Sequence, residues 1–180
     1  MASAFSHAIS AIAIGKATFI QKPGWKFWLL GMFCAIVPDA DVISFSFGIP
    51  YESMWGHRGI THSFFFAALL AFVINFIFYR NEKMFSRHWW LLWLFFFLCT
   101  ASHPVLDAMT SGGEGVAFFA PFHNERYFFP FRPITVSPIG VAKFFSAWGW
   151  KVIKTEFIWV WVPLLVIIIA IKIFKRIQDL

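Results

Sequence analysis

Residues 61–79 read THSFFFAALLAFVINFIFY. After His62 this stretch carries no formal charge, and it ends at Arg80. A helix needs about 20 mostly apolar residues to cross the hydrocarbon core of a bilayer, so 61–79 reads as a spanning helix. Working outward, the turn Arg80–His88 holds Arg80, Lys83 and Arg87. Beyond it, residues 89–109 read WWLLWLFFFLCTASHPVLDAM, a second span that turns polar only at its end. On the other side, residues 25–37 form an apolar run that leads into Pro38-Asp39-Ala40-Asp41. Residues 5–20 are apolar and rich in small residues, short for a span, with His7 near the start and Lys16 near the end. Residues 156–174 form the last span, in which Pro163 is tolerable because neighbouring helices can satisfy the freed carbonyl.

The composition agrees. Of 180 residues, 59% are hydrophobic, 22% aromatic and 13% charged, against about 45–50% apolar and 25% charged in soluble domains. Mean hydropathy is +0.70. A small soluble fold has too little interior for this much apolar surface, which excludes a soluble monomer, a disordered chain and a basic nucleic-acid module. The N-terminus lacks the early basic region of a cleaved signal. Cys34 and Cys99 sit in apolar runs without metal-motif or disulfide spacing and read as small hydrophobes.

The stretch 110–155 differs. Ser111-Gly112-Gly113 breaks the helix, and residues 120–133 read APFHNERYFFPFRP, which suits an irregular segment at a membrane interface. Residues 141–153 read as an interfacial amphipathic helix, with Lys143, Lys151 and the adjoining Lys154 beside Phe144, Phe145 and Trp148. The predicted fold is therefore all-α: a polytopic membrane bundle of about five helices plus an interfacial loop and helix, in a single domain over 1–180.

Dividing the net charge of +6 by connection makes it a topology signal. Lys16, Lys22 and Lys26 flank the first turn, Arg80, Lys83 and Arg87 the third, and Lys172, Lys175 and Arg176 the last helix end. If five helices alternate, these groups share one side, which the positive-inside rule makes cytoplasmic. His7, Asp39, Asp41, His57, His62, His103 and Asp107 then gather on the other, periplasmic side. Ionisable residues in membrane segments cost roughly 2.5–3.5 kcal/mol each on insertion scales and usually mark function.

Each piece has a chemical and a plainer reading. His103 and Asp107 are four apart, so they share a helical face and can bind one ion, or they form a hydrogen-bonded polar helix end. Asp39 and Asp41 are either a solvated helix end or a pair that needs a cation; in an extended stretch, residues two apart line one side. His57-Arg58-Gly59-Ile60-Thr61-His62-Ser63 is the densest cluster. Gly59 permits a tight turn, Thr61 can cap the next helix, and His57 and His62 can converge across the turn. Arg58 matches an anionic group such as phosphate, and Arg126 and His123 in the aromatic loop are further substrate-binding candidates. His7 is either simply hydrogen-bonded or a further ligand.

Mixed His and Asp donors suit zinc, manganese or iron in an open catalytic site. The metal candidates are His7, Asp39, His57, His62, His103 and Asp107, for one or two divalent ions. Such ions polarise a phosphoryl oxygen and bring the pKa of bound water to about 7 on zinc. Asp39 and Asp41 are the candidates to orient or deprotonate that water.

An N-terminal His, PDAD, HRGITHS, HPVLDAMTS and PFHNERYFFP together resemble the YdjM-like family of bacterial inner-membrane, predicted metal-dependent hydrolases, some of which are described as regulated by the LexA repressor. The family is in turn distantly similar to zinc-dependent phospholipase C, an all-helical enzyme. The resemblance implies metal roles for His62, His103 and Asp107, a ligand or general-base role for Asp39, and an N-terminal ligand at His7. His123 and Glu125 are the nearest counterparts to the phospholipases' downstream His and Glu.

The expectation is a multi-pass inner-membrane hydrolase acting on a lipid-linked phosphoester at the periplasmic interface. The partners expected are the bilayer and a membrane lipid or lipid-linked substrate, with no nucleic acid. A metal-ion transporter is the first alternative, and a membrane protein with a structural metal the second.

Overall fold

The computed structural model describes residues 1–18, 20 and 23–178. Among these the chain is helical: α1 Ala4–Ala17, α2 Trp25–Ile36, α3 Phe64–Phe78, α4 Arg87–Ala108, α5 Val141–Phe144, α6 Ala147–Glu156 and α7 Val162–Gln178. Two isolated β-bridges, Thr110 with Ile134 and Val116 with Tyr127, pin the long loop. Lys22, which the charge count places at the first turn, lies outside the described residues.

Serine starts four of these helices. The hydroxyls of Ser3, Ser63, Ser86 and Ser146 accept from Ser6 N, Phe66 N, Trp89 N and Trp148 N, satisfying orphan donors of the first turn. Thr61, the expected cap of α3, does something else. Residues 60–62 form a separate 3₁₀ turn, so α3 begins only at Phe64 and the Thr61 hydroxyl donates to Asp41 Oδ2 at 2.6 Å. This start leaves α3 with 15 residues, shorter than the span expected over 61–79.

Among the described residues, three helical stretches are long and apolar enough to cross a membrane: Trp25–Phe47, Arg87–Ala108 and Ala147–Phe174. The first is α2 extended by a 3₁₀ helix over Val37–Phe47. The third corrects the division expected near Glu156. The amphipathic stretch breaks after Phe144, and α6 then runs through a π-helical segment, Phe157–Trp161, straight into α7. The wide turn, in which Val162 N–H donates to Phe157 O, stands immediately before Pro163. A π segment is one of the local adjustments that accommodate a proline within a membrane helix.

α1 to α4 pack as a bundle around Ala11, Phe27, Cys34, Ala35, Ala71, Leu92, Phe95, Phe96 and Cys99. The two cysteines are free and buried. Small residues set the spacing. A Cβ on Gly31 would stand 2.6 Å from the Phe95 ring, and that close approach lets Phe27 and Phe95 stack at 3.8 Å. Polar bonds cross the same seams: Asn75 Nδ2 donates to Trp89 O at 2.9 Å and Trp93 Nε1 to Ala68 O at 3.2 Å. α7 instead exposes Leu165, Val166, Ile167, Ile169, Ile173 and Phe174, a face that hydrocarbon solvates and water does not.

The packing fixes which ends meet. Lys26, at the start of α2, donates to Phe78 O at the end of α3 and lies 4.7 Å from the centre of the Tyr79 ring. The α1–α2 and α3–α4 turns therefore share one end of the bundle. The end of α2, the start of α3 and the end of α4 meet at the other, beside the start of α1.

Candidate metal centre

Asp39, His62, His103 and Asp107 come from three parts of the chain and meet at that second end. α4 carries His103 and Asp107 one turn apart on its buried face. The 3₁₀ turn 60–62 aims His62 across, and the 3₁₀ extension of α2 supplies Asp39. His103 Nε2 lies 3.0 Å from His62 Nε2 and 3.2 Å from Asp39 Oδ1. His62 Nε2 lies 3.6 Å from both Asp39 Oδ1 and Asp107 Oδ2, and His103 Nε2 3.9 Å from Asp107 Oδ2. Zinc bonds of about 2.0–2.1 Å to nitrogen and oxygen place tetrahedral donors about 3.3 Å apart. The observed spacings bracket that value.

The donor atoms are prepared for a cation. Asp39 Oδ1 and Asp107 Oδ2 are buried and accept no well-aligned hydrogen bond among the described residues; Asp107 Oδ2 is ion-paired with Arg58, and Asp39 Oδ1 faces the imidazoles of His62 and His103. His103 Nδ1 bonds Ala35 O at 2.7 Å, so it carries the proton and leaves a lone pair on Nε2. His62 Nδ1 faces Asp41 Oδ2 at 3.1 Å, the carboxylate–histidine arrangement found behind metal ligands. His62, His103 and Asp107 are fully buried, and only Asp39 has some exposure, 14%.

Asp39 and Asp41 do not converge as an extended stretch would place them. Residues 37–47 are a 3₁₀ helix, and the two carboxylates reach opposite nitrogens of the same imidazole, His62. Asp41 is already occupied: Oδ1 pairs with His57 Nδ1 at 2.6 Å, and Oδ2 accepts from Arg58 N at 3.0 Å and from Thr61 Oγ1. Asp41 thus contacts both imidazoles directly, and the rings of His57 and His62 meet edge-on at 5.5 Å. These three residues offer a second candidate group, with ligand atoms within 4.8 Å of one another, that shares His62 with the first.

Arg58 is fully buried, with φ of 62°, a left-handed backbone that a side chain seldom adopts. Its Nε lies 3.1 Å from Asp107 Oδ2, and its two terminal nitrogens donate to Gly112 O and Thr110 Oγ1. Gly113, at φ of 90°, makes room: a Cβ there would stand 2.6 Å from the guanidinium. Arg58 thus neutralises Asp107 at Oδ2, the same oxygen that faces His62 and His103. Arg126 donates to the carbonyls of His57, Tyr51 and Ser53 and stacks over the Tyr51 ring, clamping the 51–58 loop. His123 is exposed and 3.9 Å from Glu125, and the structure does not bring it to the cluster. His7 is buried and stacked on His103 at 3.7 Å, with Nε2 3.6 Å from Asp107 Oδ1. Neither of its nitrogens has a hydrogen-bond partner among the described residues.

Outside the membrane helices, His62 is raised from 6.5 to about 10: burial opposes its charge, but the carboxylates of Asp107, Asp39 and Asp41 outweigh that. His57 is lowered, because burial outweighs the attraction of Asp41. A proton on His62 thus does the neutralising that a metal ion would otherwise do.

Sequence reasoning did not single out Glu156, Ser3 and Ser6. Glu156 is fully buried and accepts from Ser3 N and Oγ, both at 2.5 Å, and from Ser6 Oγ at 2.8 Å. This network ties the end of α6 to the start of α1, close to where Ala2 N donates to Asp107 Oδ1 at 2.7 Å. A carboxylate at the head of an otherwise apolar span was the available signal.

No solved structure matches the chain significantly. It is 35% identical over 163 residues to the inner membrane protein YbcI of Escherichia coli strain K12, covering 91% of this chain and 92% of that protein. The family model described as YdjM inner membrane protein matches residues 1–178. With His7, PDAD, HRGITHS and HPVLD all lying within the matched span, the chain belongs to the YdjM inner membrane protein family.

Proposed function

We propose that the protein is a multi-pass, metal-dependent hydrolase that cleaves a lipid-linked phosphoester at the periplasmic face of the inner membrane. One observation carries the reading: four donors, two imidazole nitrogens and two carboxylate oxygens, lie within 4.8 Å of one another at metal-ligand spacing. Asp39, His62, His103 and Asp107 would hold one divalent ion, zinc by its donor set. When bound, such an ion supplies polarisation of the phosphoryl oxygen and activation of a water.

The chain's own residues do the rest. Ala35 O and Asp41 fix the two imidazoles in the tautomer that presents Nε2. Arg58 balances Asp107, and Thr110 Oγ1 and Gly112 O accept from its guanidinium and fix it there. Asp39, the exposed member of the set, faces the incoming substrate and is placed to accept a proton from water. Sidedness rests on the two bundle ends: the basic turns lie opposite the cluster, and the positive-inside rule makes their side cytoplasmic.

The test is purification in detergent, metal analysis and a head-group release assay on bacterial lipids. One ion per chain and phosphoester cleavage lost in His103→Ala are expected. Full metal content and full turnover in His103→Ala would sink the site. Ion flux across proteoliposomes without cleavage would favour a transporter.

A further inference from the structure

The one cluster residue with any exposure opens onto a cavity of about 370 Å³, within the usual size range of small-ligand sites, about 300–1,000 Å³. Its charged lining groups are Asp39 and the amino group of Met1, which lies 3.9 Å from Asp107 Oδ2, and the walls are otherwise largely apolar: Phe5, Ile36, Pro138, Phe144 and Phe145. No Lys or Arg lines it among the described residues. Phe5 and Phe145 are 57% and 79% exposed on the outer surface, and Phe5 lies 6.1 Å from Phe144 across the cavity. A second apolar hollow shares Phe144 and Phe145 and continues past Gly149 to Trp150 and Ile153.

This shape selects its ligand. A water-soluble phosphoester would leave the phenylalanine walls wet. An amphiphile satisfies both ends, its polar group at Asp39 and a hydrocarbon chain along the rings. We infer that the cavity receives one hydrocarbon chain of a membrane lipid, which enters sideways from the bilayer between α1 and α5. The inference rests on the hydrolase reading for the identity of the polar end. The chain site itself stands on the apolar walls.

Photolabelling tests it. The zinc-loaded full chain is reconstituted in phosphatidylethanolamine/phosphatidylglycerol vesicles doped with phosphatidylglycerol carrying a diazirine at the end of one chain. Adducts are expected on Phe5, Phe144 or Phe145, above the level found on lipid-facing Ile167. Ala4→Trp fills the cavity from an exposed position on its wall, and Phe145→Asp puts a charge at its mouth. Each should abolish the cavity adducts while leaving zinc content and the Ile167 adducts unchanged. Cavity labelling no higher than on α7, or unchanged in both variants, overturns the inference. Cavity adducts in a protein that binds no zinc would keep the chain site and overturn the metal reading instead.

Discussion

The two ends of the four-helix bundle are made from the same helices and hold their charges in opposite ways. At the basic end, His88 and Glu82 are 3.8 Å apart and 49% and 40% exposed, and Lys16 lies over the Trp28 ring. Such groups remain solvated, and exposed pairs contribute about 0–1 kcal/mol. At the cluster end, Asp107 and Arg58 are fully buried, and each is matched by several partners from distant parts of the chain. The first arrangement orients helices and tolerates change. The second depends on every partner, because a buried charge that loses its counter-charge costs far more than the pair contributes.

Asp107→Ala should therefore have the largest effect. It removes a proposed ligand and leaves Arg58 buried without its carboxylate, a loss of about 3–5 kcal/mol. Unfolding in detergent measures this, and metal analysis should show the ion gone. Asp107→Ala protein as stable as the parent would remove the contrast between the ends. Asp41→Ala should be milder, since it takes away no ligand of the four-atom set. Losing the carboxylate behind His62 should weaken metal affinity roughly 10–100-fold, read by chelator competition. An unchanged affinity would mean that Asp41 does not orient His62.

The contrast between the ends was legible in the sequence because it is a matter of counting: basic residues cluster at alternate connections, and His and Asp at the others. HRGITHS and HPVLD also declared themselves, since imidazoles and carboxylates are scarce in so apolar a chain. What the sequence hid was the division of labour within the cluster. Asp39 and Asp41 look equivalent, and only the 3₁₀ geometry of residues 37–47 sends one to Nε2 and the other to Nδ1 of His62. Arg58 and Arg126 looked like anion binders because a charge invites a ligand, yet their partners are chain carbonyls, Thr110 and Asp107, brought close by a loop with no periodicity to read. The break after Phe144 was hidden too, since one amphipathic pattern runs across it.

Acidity offers a smaller but specific effect at the cluster end. In the metal-free protein His62 has its pKa raised from 6.5 to about 10 by three carboxylates. A raised pKa means that the folded state holds this proton more tightly than the unfolded chain does. The stabilisation is complete below about pH 6.5 and disappears as pH rises through about 10. Metal needs the same nitrogen deprotonated, so affinity for zinc should rise with pH over that window, with a proton released on binding. Chelator competition at several pH values, in two buffers of different ionisation enthalpy, detects both. A flat profile would show that the His62 proton does not compete with metal.

The basic end should give the smallest change. Lys83→Ala lies away from every buried pair, so stability should move by no more than about 0.5 kcal/mol, and metal content should not move at all. Its group matters collectively and for a different property. Neutralising Arg80, Lys83 and Arg87 together should erode the charge bias on which the proposed orientation rests, seen as lower cytoplasmic signal from a reporter fused after Leu180. That outcome would separate the two ends by function, since one set of charges would fix orientation without touching the metal centre. A parent protein whose reporter is periplasmic would instead reverse the sidedness and put the cluster on the cytoplasmic face.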